Sequence, residues 1–213
     1  MKYRHFFWDF DGTLYNTYGR ITRASVNALY DLGAAASFDM VYPVAKRSLT
    51  RTYETFAKPL GISHETFLEA YHRYSESEGP ESIRPYPGAG ETLQAVVDGG
   101  GKNYLYTHRG GSAFTWLDYD QLTKLFFDHV TSRDGFPSKP APDALNHLIE
   151  KHRLDKTQCV MIGDRDIDLD AAKNAGIGCA LFDPENLYPD YPAPYRFFDM
   201  AELKKALIDE EQG

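Results

Sequence analysis

Five positions carry side chains that together could transfer a phosphoryl group. Asp9 and Asp11 stand two residues apart at the end of an apolar run, and Thr107, Lys139 and Asp164 each follow a later segment. Carboxylates, a hydroxyl and a fixed cation are the groups that bind a hard divalent metal and hold phosphate oxygens. The residue types therefore indicate phosphoryl transfer through a divalent metal ion.

This chemistry gives each side chain a separate role. A carboxylate that attacks a phosphate dianion is repelled by it, so a magnesium ion between Asp9, Asp164 and a phosphate oxygen would bring the reactants together. Lys139 and Thr107 would hold the remaining phosphate oxygens. Asp11 could protonate the leaving oxygen and later take a proton from the water that attacks the acyl-phosphate.

Each residue also has a simpler explanation when it is taken alone. Asp9 and Asp11 could be turn formers before Gly12, and Thr107 could satisfy backbone groups at the end of a strand. Lys139 alone would be an exposed loop lysine. The functional interpretation depends on all of these residues occurring in one order along the chain, because several motif errors would have to coincide.

Four segments resemble the motifs of the haloacid dehalogenase superfamily. They are Asp9-Phe-Asp-Gly-Thr13, Thr107, Lys139-Pro140 and Gly163-Asp164 with Asp168 four residues further on. The resemblance spans nearly the whole chain and is strongest to phosphoglycolate phosphatase-like members. It implies a magnesium-dependent phosphatase that hydrolyses a small phosphorylated metabolite through an aspartyl-phosphate, with Asp9 as nucleophile and Asp11 as general acid and base.

The same resemblance implies a metal site and a set of substrate contacts. Magnesium would be held by Asp9, Asp164 and the backbone carbonyl of Asp11, while Asp168 would orient metal-bound water or Lys139. The candidate substrate contacts beside the motifs are Gly12, Thr13, His108 and Arg109. His108 departs from the family pattern, in which a small or amide residue is commoner, and Arg109 taken alone is more often a surface charge than a phosphate ligand.

Three other functions share some of these residues. A phosphomutase would use the same side chains but would protect the aspartyl-phosphate until a second hydroxyl arrives. A signalling receiver domain also combines magnesium, an acceptor aspartate, a threonine and a lysine, but it has no long helical insert after its first strand. A catalytically inactive relative that serves as a binding protein is a further alternative.

Alternating apolar runs and helical stretches must position the candidate residues. Buried strands are predicted at residues 5–10, 103–107, 159–162 and 179–182, with a further strand near 129–132 and helices at 90–98, 142–152 and 169–175. This order predicts an α/β protein with a doubly wound, mostly parallel, Rossmann-like sheet. Ligands bind beyond the carboxyl ends of the strands in such sheets, and the candidate residues follow those ends.

Residues 16–85 contain no comparable apolar run and predict an inserted helical unit. Residues 24–32 and 45–60 have helical composition, Ser63 predicts a helix N-cap, and prolines and glycines end the insert. By the resemblance, this unit is a cap domain on a core formed by residues 1–15 and 86–213.

A basic cluster lies within the insert, formed by Lys46, Arg47 and Arg51. Arg51 is the candidate from this cluster for contact with an anionic substrate. A solvated helix face is the simpler explanation of the three charges.

The composition narrows the partners and the location. Of 213 residues, 42% are hydrophobic and 25% are charged, as in ordinary globular proteins. The net charge of −8 argues against a nucleic-acid binder, which needs a basic surface. Two cysteines in apolar runs, with no signal peptide or membrane-spanning stretch, predict a cytoplasmic protein without a membrane partner. The expected assembly is a monomer or homodimer, and a last helix is expected near residues 201–208.

Overall fold

Residues 1–209 are described in the computed structural model, and their packing divides into two units. One unit comprises Met1–Tyr15 and the chain after Arg84, and the other is Asn16–Arg84. Pro85 was expected in the helical insert but belongs to the first unit, where it forms an antiparallel bridge with Tyr15. Residues 210–213, which were assigned to the core domain, lie outside the described residues.

The first unit is built on a six-stranded sheet within the described part of the chain. Its strands are β1 (His5–Trp8), β2 (Lys102–Tyr106), β3 (Phe126–Val130), β4 (Cys159–Gly163), β5 (Gly178–Phe182) and β6 (Arg196–Phe197). Their order across the sheet is β3-β2-β1-β4-β5-β6, and every neighbouring pair is parallel. The predicted parallel α/β sheet is confirmed.

The register of the sheet brings the ends of three strands together. β1 lies between β2 and β4, and its last residue, Trp8, pairs with Leu105 on one side and Ile162 on the other. Every residue of β4 is buried, as expected for a central parallel strand with an uninterrupted apolar sequence. Residues that follow β1, β2 and β4 therefore meet at one edge of the sheet.

The α-helices are named in chain order, and those after α4 belong to the first unit. They are α1 (Tyr18–Asp31), α2 (Phe38–Ala45), α3 (Leu49–Thr52), α4 (His64–Ser75), α5 (Ala89–Asp98), α6 (Ser112–Tyr119), α7 (Asp143–His152), α8 (Asp166–Ala175) and α9 (Met200–Lys204). None of the helices within residues 1–209 is both long enough and apolar enough to cross a membrane.

Helices cover both faces of the sheet. Tyr104 of β2 lies in one apolar cluster with Leu145 of α7 and Leu169 of α8. Its neighbour Asn103 points to the opposite face, because side chains alternate along a strand. There the Asn103 amide donates to the carbonyl of Leu93 in α5 at 2.9 Å. The sheet is therefore doubly wound, as predicted.

The second unit contains α1 to α4 around a core of its own, which includes Leu29, Val41 and Phe67. The predicted cap at Ser63 is confirmed, since its hydroxyl accepts the amide hydrogen of Thr66 at 3.1 Å. The single helical stretch predicted for residues 45–60 is wrong. The chain leaves α2 at Ala45 and starts α3 after a new N-cap at Ser48, and then passes through a π-helical turn, Tyr53–Ala57, and a 3-10 turn, Lys58–Leu60.

Several predicted boundaries in the first unit are also corrected. The first strand ends at Trp8, not at residue 10, because the carbonyl of Phe10 already accepts the amides of Leu14 and Tyr15 in a turn. The strand predicted near 129–132 begins earlier, at Phe126. The prediction missed this start because the side chains of this edge strand alternate between partly buried and exposed positions. β6 is two residues long and carries no sequence signal. α8 begins at Asp166, three residues before the predicted start, and the last helix begins at Met200.

Candidate active site

The candidate residues follow the ends of neighbouring strands at one edge of the sheet. The amide of Asp9 still donates to Ile162 of β4 at 3.0 Å, and the amide of Thr107 donates to Val130 of β3 at 3.1 Å. These bonds extend the sheet by one residue and leave the side chains at its carboxyl edge. Asp9, Thr107 and Asp164 are all buried there.

A tight turn follows β1 and explains the Asp-Phe-Asp-Gly-Thr sequence. Gly12 has a φ of 83°, a left-handed conformation that glycine adopts at least cost, and its amide donates to the Tyr15 carbonyl at 2.8 Å. The ring of Phe10 stacks on Tyr15 with centroids 4.5 Å apart, which anchors the turn in the core. Thr13 is fully buried, and its hydroxyl lies 3.5 Å from Asp164 Oδ1. The turn thus joins the first and fourth motifs.

Lys139 is buried at the centre of the site. Its ammonium group donates to Asp9 Oδ1 at 2.9 Å, to Asp168 Oδ1 at 2.7 Å and to the Tyr106 carbonyl at 2.9 Å. These three acceptors match the three hydrogens of a protonated lysine. Burial alone would lower the pKa of Lys139, but the carboxylates of Asp168 and Asp9 outweigh burial and raise it. Lys139 is therefore a permanent cation and not the exposed loop lysine of the simpler interpretation.

Asp9 is held in an unusual electrostatic environment. Its burial raises its pKa to about 6, although Lys139 opposes that shift. Oδ2 of Asp9 is buried and accepts no hydrogen bond from any residue that the structure describes. Nη2 of Arg165 lies 3.9 Å from this oxygen. An unsatisfied buried carboxylate oxygen is costly, and a bound cation would satisfy it.

Three buried carboxylates could hold that cation. Among residues 1–209, Asp9, Asp164 and Asp168 each place one oxygen within 4.8 Å of the other two. Oxygen ligands of this type suit a hard divalent ion such as magnesium. Asp168 has both oxygens engaged, because Oδ1 accepts from Lys139 and Oδ2 accepts the Arg165 amide at 3.1 Å. Its geometry fits an orienting role, and the residues present fit a metal bound mainly by Asp9 and Asp164.

Gly163 leaves the space that Asp168 occupies. A Cβ atom at position 163 would lie 2.2 Å from the Cβ of Asp168, which is far inside van der Waals contact. The glycine before Asp164 is therefore needed for the close approach of the α8 N-terminus to the end of β4.

Asp11 is paired with Arg109. Arg109 Nη2 donates to Asp11 Oδ1 at 2.6 Å, and Arg109 Nε lies 3.1 Å from both carboxylate oxygens. The guanidinium carbon also lies 4.3 Å from the ring centroid of Trp116 and 5.5 Å from that of Phe10. Arg109 was a candidate substrate contact or a surface charge. The structure gives it a partly buried position in which it binds the candidate acid and base.

The two residues before Arg109 act on neighbouring backbone groups. The hydroxyl of Thr107 accepts the Arg109 amide at 3.0 Å, as the simpler interpretation anticipated, and a hydroxyl can accept there while donating to a phosphate oxygen. His108 Nε2 accepts the amide hydrogen of Lys139 at 2.9 Å. Burial lowers the pKa of His108 to about 4, so the ring is neutral near pH 7. Sequence reasoning missed this link because residues 108 and 139 are distant along the chain.

Arg165 is a second residue that sequence reasoning left without a role. Its Nη2 atom makes the 3.9 Å ion pair with Asp9, and its side chain is 12% exposed. Its position directly after Asp164 was the only available signal.

Arg51 belongs to the second unit, where its side chain is exposed. Arg47 is also exposed, which fits the solvated face. Lys46 does not fit a solvated face, because it is buried. Its ammonium group lies 4.8 Å from the ring centroid of Tyr18 and 5.9 Å from that of Tyr42.

The model of the haloacid dehalogenase-like hydrolase family matches residues 6–182 of the chain. The matched region takes in all four motifs and most of the described structure. The protein therefore belongs to the haloacid dehalogenase-like hydrolase family. The resemblance inferred from the motifs, and with it the prediction of a hydrolase, is confirmed.

Relatives of known sequence and structure show how far the similarity extends. A phosphoglycolate phosphatase from Vibrio parahaemolyticus is 29% identical over 82% of this chain and 80% of its own. A pyrophosphatase from Listeria monocytogenes is 26% identical over 96% of both chains. A hydrolase from Streptococcus pneumoniae TIGR4 with a known crystal structure is 33% identical, with a TM-score of 0.65 over 89% of this chain and 98% of its own. These relatives carry different activities in their names.

Proposed function

We propose that the protein is a magnesium-dependent phosphatase that hydrolyses a small phosphorylated metabolite through a phosphoryl group carried on Asp9. The observation that carries this proposal is the state of the Asp9 carboxylate. One of its oxygens is bound by Lys139, and the other is buried without a hydrogen bond from residues 1–209. The same carboxylate lies in a buried acidic cluster with Asp164 and Asp168. This arrangement supports a nucleophile that shares a cation with a second carboxylate.

Asp9 and Asp164 would hold the magnesium ion, with the backbone carbonyl of Asp11 as a further ligand and Asp168 as an orienting residue. When bound, the ion supplies positive charge that offsets the repulsion between a carboxylate and a phosphate dianion. Lys139 supports the same task from the protein side, since its buried ammonium lies 2.9 Å from Asp9. Thr107 would donate its hydroxyl hydrogen to a phosphate oxygen.

Two displacements complete the proposed reaction. Asp9 attacks phosphorus, the bond to the leaving oxygen breaks, and Asp11 gives that oxygen a proton. Asp11, now ionised, takes a proton from a water molecule that attacks phosphorus, and the bond between Asp9 and phosphorus breaks to release inorganic phosphate. Arg109 holds Asp11 in the structure, so this ion pair must open when Asp11 carries the proton.

The substrate class is proposed from the relatives and the site together. Phosphoglycolate phosphatases among the relatives support a small phosphomonoester, and the helical unit of residues 16–84 is proposed to act as the cap that selects the leaving group, with Arg51 as a candidate contact. A cytoplasmic location is part of the proposal, and the two buried free thiols, Cys159 and Cys179, support it. Neither a nucleic acid nor a membrane is proposed as a partner.

A substrate panel tests the proposed function. Phosphorylated metabolites are incubated with the wild type and with Asp9→Asn, with magnesium or with a chelator, and both inorganic phosphate and isomerised products are measured. We expect phosphate release that needs magnesium and falls by at least ~10³-fold in Asp9→Asn, because the nucleophile is lost. Release that survives the chelator and the substitution would contradict the proposal, and isomerised sugar phosphate without phosphate release would indicate a phosphomutase.

A further inference from the structure

His108 has a contact that its predicted role as a substrate ligand does not require. Its Nε2 atom accepts the amide hydrogen of Lys139 at 2.9 Å, across a sequence separation of 31 residues. A neutral imidazole has one donor and one acceptor nitrogen, so an accepting Nε2 places the ring proton on Nδ1. The side chain is thereby committed at one nitrogen to the main chain of the third motif.

The segment that receives this contact has little regular structure of its own. Lys139 lies between the 3-10 turn Ser132–Asp134 and the start of α7 at Asp143. A side-chain hydrogen bond to the next residue of this segment comes from Asn174 of α8, which donates to the Pro140 carbonyl at 2.9 Å. His108 and Asn174 therefore attach the Lys139-Pro140 segment to β2 and to α8.

The position of the Lys139 backbone decides where its ammonium group lies. That group contacts Asp9, Asp168 and the Tyr106 carbonyl at distances between 2.7 and 2.9 Å, so there is little tolerance for displacement. A misplacement of about 1 Å in a catalytic group can reduce a rate by about 10²-fold. A side chain that fixes the backbone at this residue has a direct effect on the geometry around Asp9.

We propose that His108 is a positioning residue, which holds the Lys139 backbone through Nε2 and so keeps the lysine ammonium between Asp9 and Asp168. The inference rests on the proposed function for its effect on rate, but the hydrogen bond itself can be tested without activity. It assigns to His108 a role distinct from substrate contact, and it explains how an imidazole can replace the small or amide residue of the family pattern at this place.

Three substitutions of His108 separate positioning from substrate contact. Glutamine places its amide oxygen near the position of Nε2, whereas asparagine reaches only the position of Nδ1. We expect His108→Gln to keep kcat within about threefold of wild type, and His108→Asn and His108→Ala to lower kcat by ~10–100-fold with a much smaller change in KM. His72→Gln, at an exposed position on α4, is the matched control and should leave both constants unchanged.

The opposite pattern would overturn the inference. If Nδ1 of His108 binds substrate, His108→Asn should retain activity and His108→Gln should raise KM. Equal kcat in all three His108 variants would also overturn it. Thermal unfolding of each variant separates a local effect from loss of folding.

Amide exchange at Lys139, followed by NMR on lysine-labelled protein, provides the test that needs no substrate. We expect slow exchange in the wild type and in His108→Gln, and exchange at least ~10-fold faster in His108→Asn, because a hydrogen-bonded amide must open before it exchanges. Unchanged exchange in His108→Asn would overturn the inference whether or not the protein is a phosphatase. A wild type without phosphatase activity but with this exchange pattern would count against the proposed function alone.

Discussion

Lys139 is the residue on which the electrostatics of the site depend. Two carboxylates that would otherwise be buried without a cationic hydrogen-bond partner, Asp9 and Asp168, share its ammonium group, and all three side chains are at most 1% exposed. Burial of a charge is tolerated only when the charge is paired and hydrogen bonded. The contact between the third motif and the first is therefore as important for folding as for the proposed chemistry.

Replacement of Lys139 by alanine should expose this dependence. We expect a loss of ~3–5 kcal/mol in the free energy of unfolding near pH 7, because the change leaves buried carboxylates uncompensated. The loss should shrink near pH 5, where these carboxylates can take up protons. Urea unfolding measures the change, and Lys151→Ala is the control, since Lys151 is 49% exposed and its ion pair is worth only ~0–1 kcal/mol. Equal losses in both variants would contradict this account.

At the scale of elements, the sequence predicted the strands that coincide with apolar runs and the segments that carry the family motifs. The runs that became β1, β2, β4 and β5 are mostly buried and mostly apolar, so their positions and the parallel sheet followed from the pattern. The edge strand β3 was predicted too far along the chain, because its residues alternate in exposure, and β6 was not predicted, because it has only two residues.

The helix boundaries that sequence missed have local physical causes. α8 begins at Asp166 because the Asp168 carboxylate accepts the Arg165 amide, a contact that composition does not reveal. The break after α2 depends on the Ser48 hydroxyl, which accepts the Arg51 amide at 3.0 Å and starts a new helix. Whether a side chain forms such a cap depends on its direction, which the sequence pattern indicated at Ser63 but not at these two positions.

The contact of β3 with α7 gives a prediction for pH dependence. Burial alone would raise the pKa of Asp128, but hydrogen bonds from Lys151 and His152 outweigh it and lower the pKa to about 2. A lowered acid pKa stabilises the folded state above the unfolded value of ~3.9, and that contribution is lost as the pH falls towards about 2.

Asp128→Asn tests this contribution. We expect it to lower the free energy of unfolding by ~1 kcal/mol near pH 7, and the difference from wild type to shrink below about pH 4. Urea unfolding of both proteins across this range measures the difference. A difference that stays constant at low pH would show that the charge of Asp128 is not responsible.

At the scale of the whole molecule, four motifs from separate parts of the chain meet at one edge of a sheet. Sequence order was sufficient to predict that meeting, because parallel strands end on the same side. The side-chain contacts within the site could not be predicted from the sequence. The pairing of Asp11 with Arg109, and of His108 with the Lys139 backbone, depends on where the side chains after β2 point. The family relationship confirms the class of hydrolase, while the leaving group depends on side chains that motifs do not specify.

The most direct test of the central claim is to find the phosphoryl group on Asp9. Asp11→Asn is mixed with a substrate that the wild type hydrolyses, the reaction is stopped with acid, and mass spectrometry locates phosphate in the digested protein. Asp11→Asn lacks the proton donor of the first step and the group that deprotonates water in the second. We expect it to permit some phosphorylation of Asp9 but to stall before hydrolysis, so that phosphate stays on Asp9 and is absent from Asp9→Asn. Phosphate on a different residue, or turnover by Asp9→Asn at the wild-type rate, would contradict the account.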